Sequence, residues 1–327
     1  MLVLLGSACK KRQEEAPPRA TPPVADPSAP MTFDAPRAEA ACRPGERTCA
    51  GADVALCAAD GTPGQVIERC AARCRDGACA DTCAVNDVEL IYVVDNGSNL
   101  YSFDPRKLPE DPFHPVGSLS CNDRESLNSM AVDRAGVAWL DFHSGLVYRA
   151  SIVDAHCATP GVRPRGAPTS YGMGFVSDGP RATTEKLFVA DQKVLAVIDT
   201  QATPPVWKPV GKLALTGDNP ELTGTGDGRL FAYFPRPGRG FIQELDRETA
   251  APKGPRWKLE GGEGRITAYA FAHWGGVFYV FTTDTGVSSV DAVHLKDGRQ
   301  ERVRTKLPMS IVGAGVSTCA PLLERAP

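Results

Sequence analysis

The chain has 327 residues and a formal net charge of −3, from 36 Lys and Arg against 39 Asp and Glu, which removes any electrostatic case for a nucleic-acid partner. Its 28 Pro, 32 Gly and 11 Cys stand beside only 12 Phe, 7 Tyr and 4 Trp, so the composition points to unlike parts in one chain. No stretch approaches the ~20 apolar residues that a spanning helix needs.

The opening, MLVLLGSA, is apolar and small up to Cys9, and Lys10, Lys11 and Arg12 follow. Gly6, Ser7 and Ala8 before a cysteine have the form of a lipoprotein cleavage site, although Leu5 sits one place early. The apolar run is shorter than the usual ~7–15 residues and lacks a basic flank, so the true start codon is expected upstream. The alternative is a cytosolic chain with a chance apolar start. The expectation is residues 1–9 as a signal segment, an acyl anchor on Cys9, and an exported protein at the cell envelope, held in the outer membrane. From 10 to 40 the chain is rich in Pro, Ala and charge (EEAPPRATPPVADPSAP) and has too few large apolar side chains to offset its ordering entropy. It reads as a tether, advancing ~3.1 Å per residue where it adopts polyproline II.

Seven cysteines then crowd into residues 41–83: Cys42, Cys49, Cys57, Cys70, Cys74, Cys79 and Cys83. A piece this small cannot rest on a core alone and needs staples. Zinc is the rival reading, with thiolates from Cys70, Cys74, Cys79 and Cys83, but the C-x2-C spacing of familiar sites is missing. An exported chain meets an oxidising compartment, so disulfides are expected, with connectivity beyond what spacing can fix.

From Val88 the pattern changes to short alternating strands separated by Gly, Pro, Asp and Asn, with no 3.6-residue period. A unit recurs: a strand with small alternate residues, a turn, then an aromatic-rich strand. The clearest copy is ELTGTGDGRLFAYF from Glu221, and aligning the small residues of the copies, Ser129, Gly172, Gly224, Ala268 and Gly313, gives steps of 43, 52, 44 and 45 residues. Blades of a four-stranded propeller take ~40–50 residues. The small residues are expected to face a crowded central axis. Gly313 to Thr318 is an inner strand with nothing after it, and Val88 to Val94 a second strand with nothing before it. Joined, they complete one blade and remove two open edges. The expected fold is therefore all-β, a five-bladed β-propeller over 84–321 with a tail at 322–327; six blades would require a further inner strand within 161–169 or 203–220. On this topology Cys83 meets Cys319 and Cys121 pairs with Cys157. That leaves Cys42, Cys49, Cys57, Cys70, Cys74 and Cys79 to pair among themselves and Cys9 for lipid.

The sharpest enzymatic hypothesis is glycan hydrolysis at the centre of the fold, which needs two carboxyl groups ~5–9.5 Å apart. Asp133, Asp178 and Asp227 occupy equivalent turn positions, where Asp bonds its own backbone, so repetition argues for a structural task. Glu221, ahead of an inner strand, and Asp95, ending a second strand, are the better pair, though the blander reading of each is a solvated rim acid. The histidines (114, 143, 156, 273 and 294) are scattered and form no metal motif, no cofactor is called for, and neither G-x-S-x-G nor GxxxxGK[ST] occurs. His273 is expected in a turn, and Trp139 and Trp274 in packing between blades. A binding face made of loops before inner strands and between second and third strands would present Asn96, Asn99, His143, Tyr171, Glu221, Arg236, Arg239 and Arg265, a mixture suited to a polar ligand, a glycan or a protein partner.

The lipobox-like Cys9, the Pro-rich spacer, the run CRPGERTCAGADVALC…GACADTC, and then MAVDRAGVAWL, ELTGTGDGRLF, FAHWGGVFYVF and IVGAGVSTCAP resemble a group of uncharacterised exported lipoproteins of myxobacteria over nearly the whole chain. DRAGVAWL is also similar to NHL-type propellers. The resemblance implies fold and location and no activity. The expected function is an envelope-anchored binding or interaction module, with a glycan hydrolase and a structural subunit as alternatives.

Overall fold

The computed structural model describes residues 42–51, 53–68, 73–75, 77–80, 83, 88–180, 182–214, 219–236, 240–261 and 264–323, all within one compact unit that begins at Cys42. Cys9, Cys70 and Arg239 lie outside these residues. So does the side chain of Cys79, whose backbone pairs with Cys74.

The first strands are short: β1 (Arg47–Ala50), β2 (Asp53–Cys57) and β3 (Pro63–Glu68) form one sheet, and β4 (Arg73–Arg75) pairs with β5 (Ala78–Ala80). Disulfides Cys42–Cys57 and Cys49–Cys74 tie them together.

The remainder is five four-stranded antiparallel sheets. β6 (Ile91–Asp95), β7 (Asn99–Phe103) and β8 (Phe113–Ser118) belong to the closing sheet. The first sheet holds β9 (Leu127–Val132), β10 (Val137–Phe142), β11 (Val147–Ser151) and β12 (Cys157–Val162). The second holds β13 (Gly172–Ser177), β14 (Glu185–Ala190), β15 (Val194–Asp199) and β16 (Val206–Lys212). The third holds β17 (Glu221–Gly224), β18 (Leu230–Phe234), β19 (Phe241–Leu245) and β20 (Pro252–Lys258). The fourth holds β21 (Ile266–Trp274), β22 (Val277–Asp284), β23 (Val287–His294) and β24 (Gln300–Leu307). Finally β25 (Ile311–Val316) pairs antiparallel with β6, Ala314 opposite Val93, and joins the two ends of this region in one sheet. Cys83 is bonded to Cys319, and Cys121 to Cys157.

The turns follow local chemistry. Trp274 pairs with Val277 across Gly275 and Gly276, which sit at φ 62° and 81°, the positive values that a two-residue hairpin turn matched to strand twist requires. Asp133 closes its turn by accepting bonds from the Ala135 and Val137 amides at 2.9 Å each, and Trp139 Nε1 donates to it at 3.0 Å.

Apolar side chains gather between neighbouring sheets. Leu100, Met130 and Leu140 fill the space between the closing and first sheets, and Trp139, Met173 and Phe175 that between the first and second. Phe188, Leu222 and Phe234 lie between the second and third, Phe231, Phe271 and Phe278 between the third and fourth, and Phe103, Tyr279 and Phe281 between the fourth and closing sheets. The arrangement is propeller-like: β9, β13, β17, β21 and β25 lie innermost, each beside the next.

The small residues have a different reason from the one expected. A Cβ on Gly174 would stand 2.9 Å from Leu222 O, and one on Gly315 2.9 Å from the backbone of Ala131. They let adjacent inner strands approach backbone to backbone; what crowds them is the neighbouring strand, and not the axis.

Candidate functional site

The leading ends of the inner strands carry a buried polar network. Asn128 and Ser129 lie near the start of β9, and Asp141, near the end of β10, lies opposite Ser129 in the register. Tyr171 immediately precedes β13, and Glu221 begins β17. Asn219 Nδ2 donates to Ser170 O and Oγ at 3.1 Å, Ser170 Oγ to Asn128 Oδ1 at 2.7 Å, and Asn128 Nδ2 to Asp141 Oδ2 at 2.9 Å and Tyr171 O at 2.8 Å. Ser129 Oγ donates to Glu221 Oε2 at 2.8 Å and accepts the Met173 amide at 3.2 Å. Tyr269 Oη adds the fourth sheet by donating to Asn219 O at 2.9 Å. Gly172 lets the backbone at the start of β17 come up against β13, because a Cβ there would fall 2.8 Å from Glu221 Cα and 2.9 Å from the Pro220 carbonyl carbon.

The centre of this network is closed to solvent, with Asp141 and Tyr171 0 % exposed and Glu221 4 %, while Asn128, Ser170, Asn219 and Tyr269 are half-buried around it. Burial therefore sets the chemistry. It pushes the Asp141 carboxyl up to about 8 against the hydrogen bond from Asn128. Burial also raises Glu221 well above the usual carboxylate range, and the charge of Asp141 adds to the effect. The Tyr171 hydroxyl is raised as well, first by burial and then by Asp141. Asp141 Oδ1 and Tyr171 Oη have no hydrogen-bond partner of good geometry among the described residues. Both carboxyl groups favour protonation, and their bonds to Asn128 and Ser129 link β9 to β10 and β17.

The structure thus corrects the expectation of solvated rim acids at Glu221 and Asp95. Glu221 is inside, because the strand that follows it lies against Gly172 and Gly174 of the preceding sheet. Asp95 is 5 % exposed, and its carboxylate caps its own hairpin: the amides of Gly97 and Asn99 reach Oδ1 at 2.8 Å, and Tyr101 Oη reaches Oδ2 at 3.1 Å. Tyr171, expected on a binding loop, is buried under it. Asn99 is tied to Asp95 and accepts Ser118 Oγ at 2.7 Å. Asn96, His143, Arg236 and Arg265 are exposed around the same end of the sheets, in the turns after second strands or ahead of an inner strand. Arg236 lies 5.5 Å above the Phe241 ring.

His273 is on a strand, not in a turn. It is buried against Phe231, its Nε2 lacks a partner among the described residues, and burial lowers its pKa to about 4. Trp139 packs edge-on to Phe175 at 6.0 Å, and Trp274 Nε1 donates to Glu89 O at 2.6 Å, so both indoles join sheets. Sequence reasoning missed Asp141, whose signal was an acid in the apolar run VAWLDF. It also missed Glu185 at the opposite end, raised by burial to about 7, which accepts the Arg134 amide and Thr318 Oγ1 at 2.7 Å each. Arg134 Nη2 in turn donates to Cys83 Sγ at 3.1 Å. Among the described residues no group of three or more His, Cys, Asp or Glu is arranged to hold a metal ion.

No protein-family model and no curated protein matches the chain. Among solved structures it is similar to a chain of a nidogen/laminin complex, at 14 % identity and a TM-score of 0.48, over 71 % of this chain and 99 % of that one. A chain of a mitotic checkpoint complex (12 % identity, TM-score 0.36) is matched over 66 % of this chain and 60 % of that one. A Bacteroides caccae protein of unknown function (12 %, 0.36) is matched over 66 % and 71 %.

Proposed function

We propose that this chain is an exported binding or interaction module, a five-bladed β-propeller closed between β25 and β6 and held at the cell envelope by an acyl group on Cys9, in the manner of the exported lipoproteins it resembles. The five sheets, the pairing of β6 with β25 and the disulfides support this reading, since cross-linked cysteines belong to an oxidising compartment. Among the described residues no helix is long and apolar enough to cross a membrane.

One observation separates binding from hydrolysis. Both acids that a glycosidase would use are committed to internal hydrogen bonds, Asp95 to its hairpin and Glu221 to Ser129. A hydrolase needs a protonated acid and a second carboxyl group within reach of the same sugar, and neither of these reaches solvent. The exposed side chains Asn96, His143, Arg236 and Arg265 are what this end offers a polar partner.

The test is native electrophoresis through gels cast with soluble arabinan, fructan or peptidoglycan fragments, with reducing ends assayed in parallel. The expected result is retardation without release of reducing ends, weakened at least tenfold when those four residues are replaced by Ala. Release that Glu221→Gln abolishes would return the protein to the hydrolases. Equal migration of wild type and the fourfold variant in every gel would remove the glycan-binding rim.

A further inference from the structure

A cleft of about 510 Å³ opens between the outer strands of the first and second sheets, away from the rim. It lies within the ~300–1,000 Å³ range of small-molecule sites. Trp139, Val147 and Ile198 line it together with Pro160, Pro164 and Pro205, so much of its surface is apolar and stiff. Backbone bonds fix its shape: the Arg165 amide donates to Pro205 O at 2.8 Å and the Trp207 amide to Arg165 O at 3.0 Å, pinning the segment after β12 to the start of β16.

Of the fourteen lining residues Arg149 alone is ionisable, and no carboxylate lines the cleft. Its guanidinium stands 5.8 Å above the Trp139 ring, and Arg149 is exposed. The acid that feels its charge is Asp133, whose oxygens already receive two turn amides and the Trp139 indole. A lone cation at the edge of an apolar, preformed cleft complements one kind of occupant. The apolar body displaces water from the proline and aliphatic surface, while the planar guanidinium accepts a carboxylate or sulfonate through paired N–H donors.

We propose that the cleft between the first and second sheets binds a small organic anion with an apolar or aromatic body, held by Arg149 beside Trp139. The site is separate from the rim and stands or falls without it.

Titration with 8-anilinonaphthalene-1-sulfonate, an aromatic monoanion whose fluorescence rises in apolar surroundings, tests this, with its uncharged relative N-phenyl-1-naphthylamine as the comparison. The expected result is one saturable site for the anion, at least tenfold weaker binding of the neutral probe, and a loss of at least tenfold in Arg149→Gln. Ala158→Trp and Thr203→Trp, which fill the cleft from opposite sheets at exposed positions, should abolish binding while circular dichroism melts match wild type. Having both guards against one variant failing to fold. Absence of saturable binding, equal affinity for the two probes, or undiminished binding in the filled variants would overturn the proposal.

Discussion

The strands from Arg47 to Ala80 and the five sheets that follow are stabilised by different means. In the first region the buried apolar residues described are few, chiefly Val54, Ala55 and Cys57, while Leu56, Val66 and Ile67 are 39–44 % exposed. Among the described residues two disulfides span separations of 15 and 25 residues there and carry the order that a core cannot. In the second region each space between sheets is filled by its own apolar cluster, and covalent links only supplement them. Cross-links are indispensable where burial is scarce and additive where it is abundant.

The largest effect that would break this contrast is loss of the long cross-link. Cys83→Ser with Cys319→Ser opens a loop of 236 residues, which the chain-entropy model values at about 5 kcal/mol. The five clusters should still fold the sheets, so the expected outcome is a lower denaturation midpoint with native far-ultraviolet dichroism retained. Complete loss of the sheet signal would show that the clusters cannot stand alone.

Next in size, Cys49→Ser should cost about 3 kcal/mol, and the damage should stay local. Hydrogen exchange is expected to rise throughout 42–80 and to remain at wild-type rates in β9 to β25. Equal loss of protection in both regions would mean that the two are one cooperative unit.

The last effect concerns the buried acids and appears as a slope with pH rather than as a fixed loss. Asp141 keeps its proton in the folded state up to about pH 8, whereas the unfolded chain releases it near the ordinary carboxylate value of 3.8. Its contribution to stability is thus complete below that lower value and is lost as pH rises toward 8. His273 acts in the opposite sense: its folded value of about 4 lies below 6.5, so its contribution is lost as pH falls through that interval. Asp141→Asn removes only the first effect. Its melting temperature should fall less than that of wild type between pH 5 and pH 8, and parallel profiles would sink the assignment of the proton to Asp141.

Much of the architecture was readable because it is written in repetition. Alternating apolar runs and turn residues located the strands from Ile91 onward, and strand order alone placed Cys83 beside Cys319, which are bonded in the structure. The site was less legible. A sequence shows that Glu221 begins an inner strand but not which neighbour that strand lies against, and the missing Cβ of Gly172 is what lets the Pro220–Glu221 backbone close on β13. The cleft is harder still, since the outer strand β12 with the segment after it and the loop from Thr200 to Pro205 meet there from two sheets.

The bond between Cys83 and Cys319 also decides how the molecule bears load. A pull between the chain ahead of Cys83 and the chain behind Cys319 passes straight through the sulfur pair, so the sheets hang beside the line of force. The 236 residues between them store roughly 800 Å of extensible length, taking ~3.4 Å for each. While the bond stands, tugging at either flank leaves that length coiled away; a reductant would turn the same domain into a long, yielding spring.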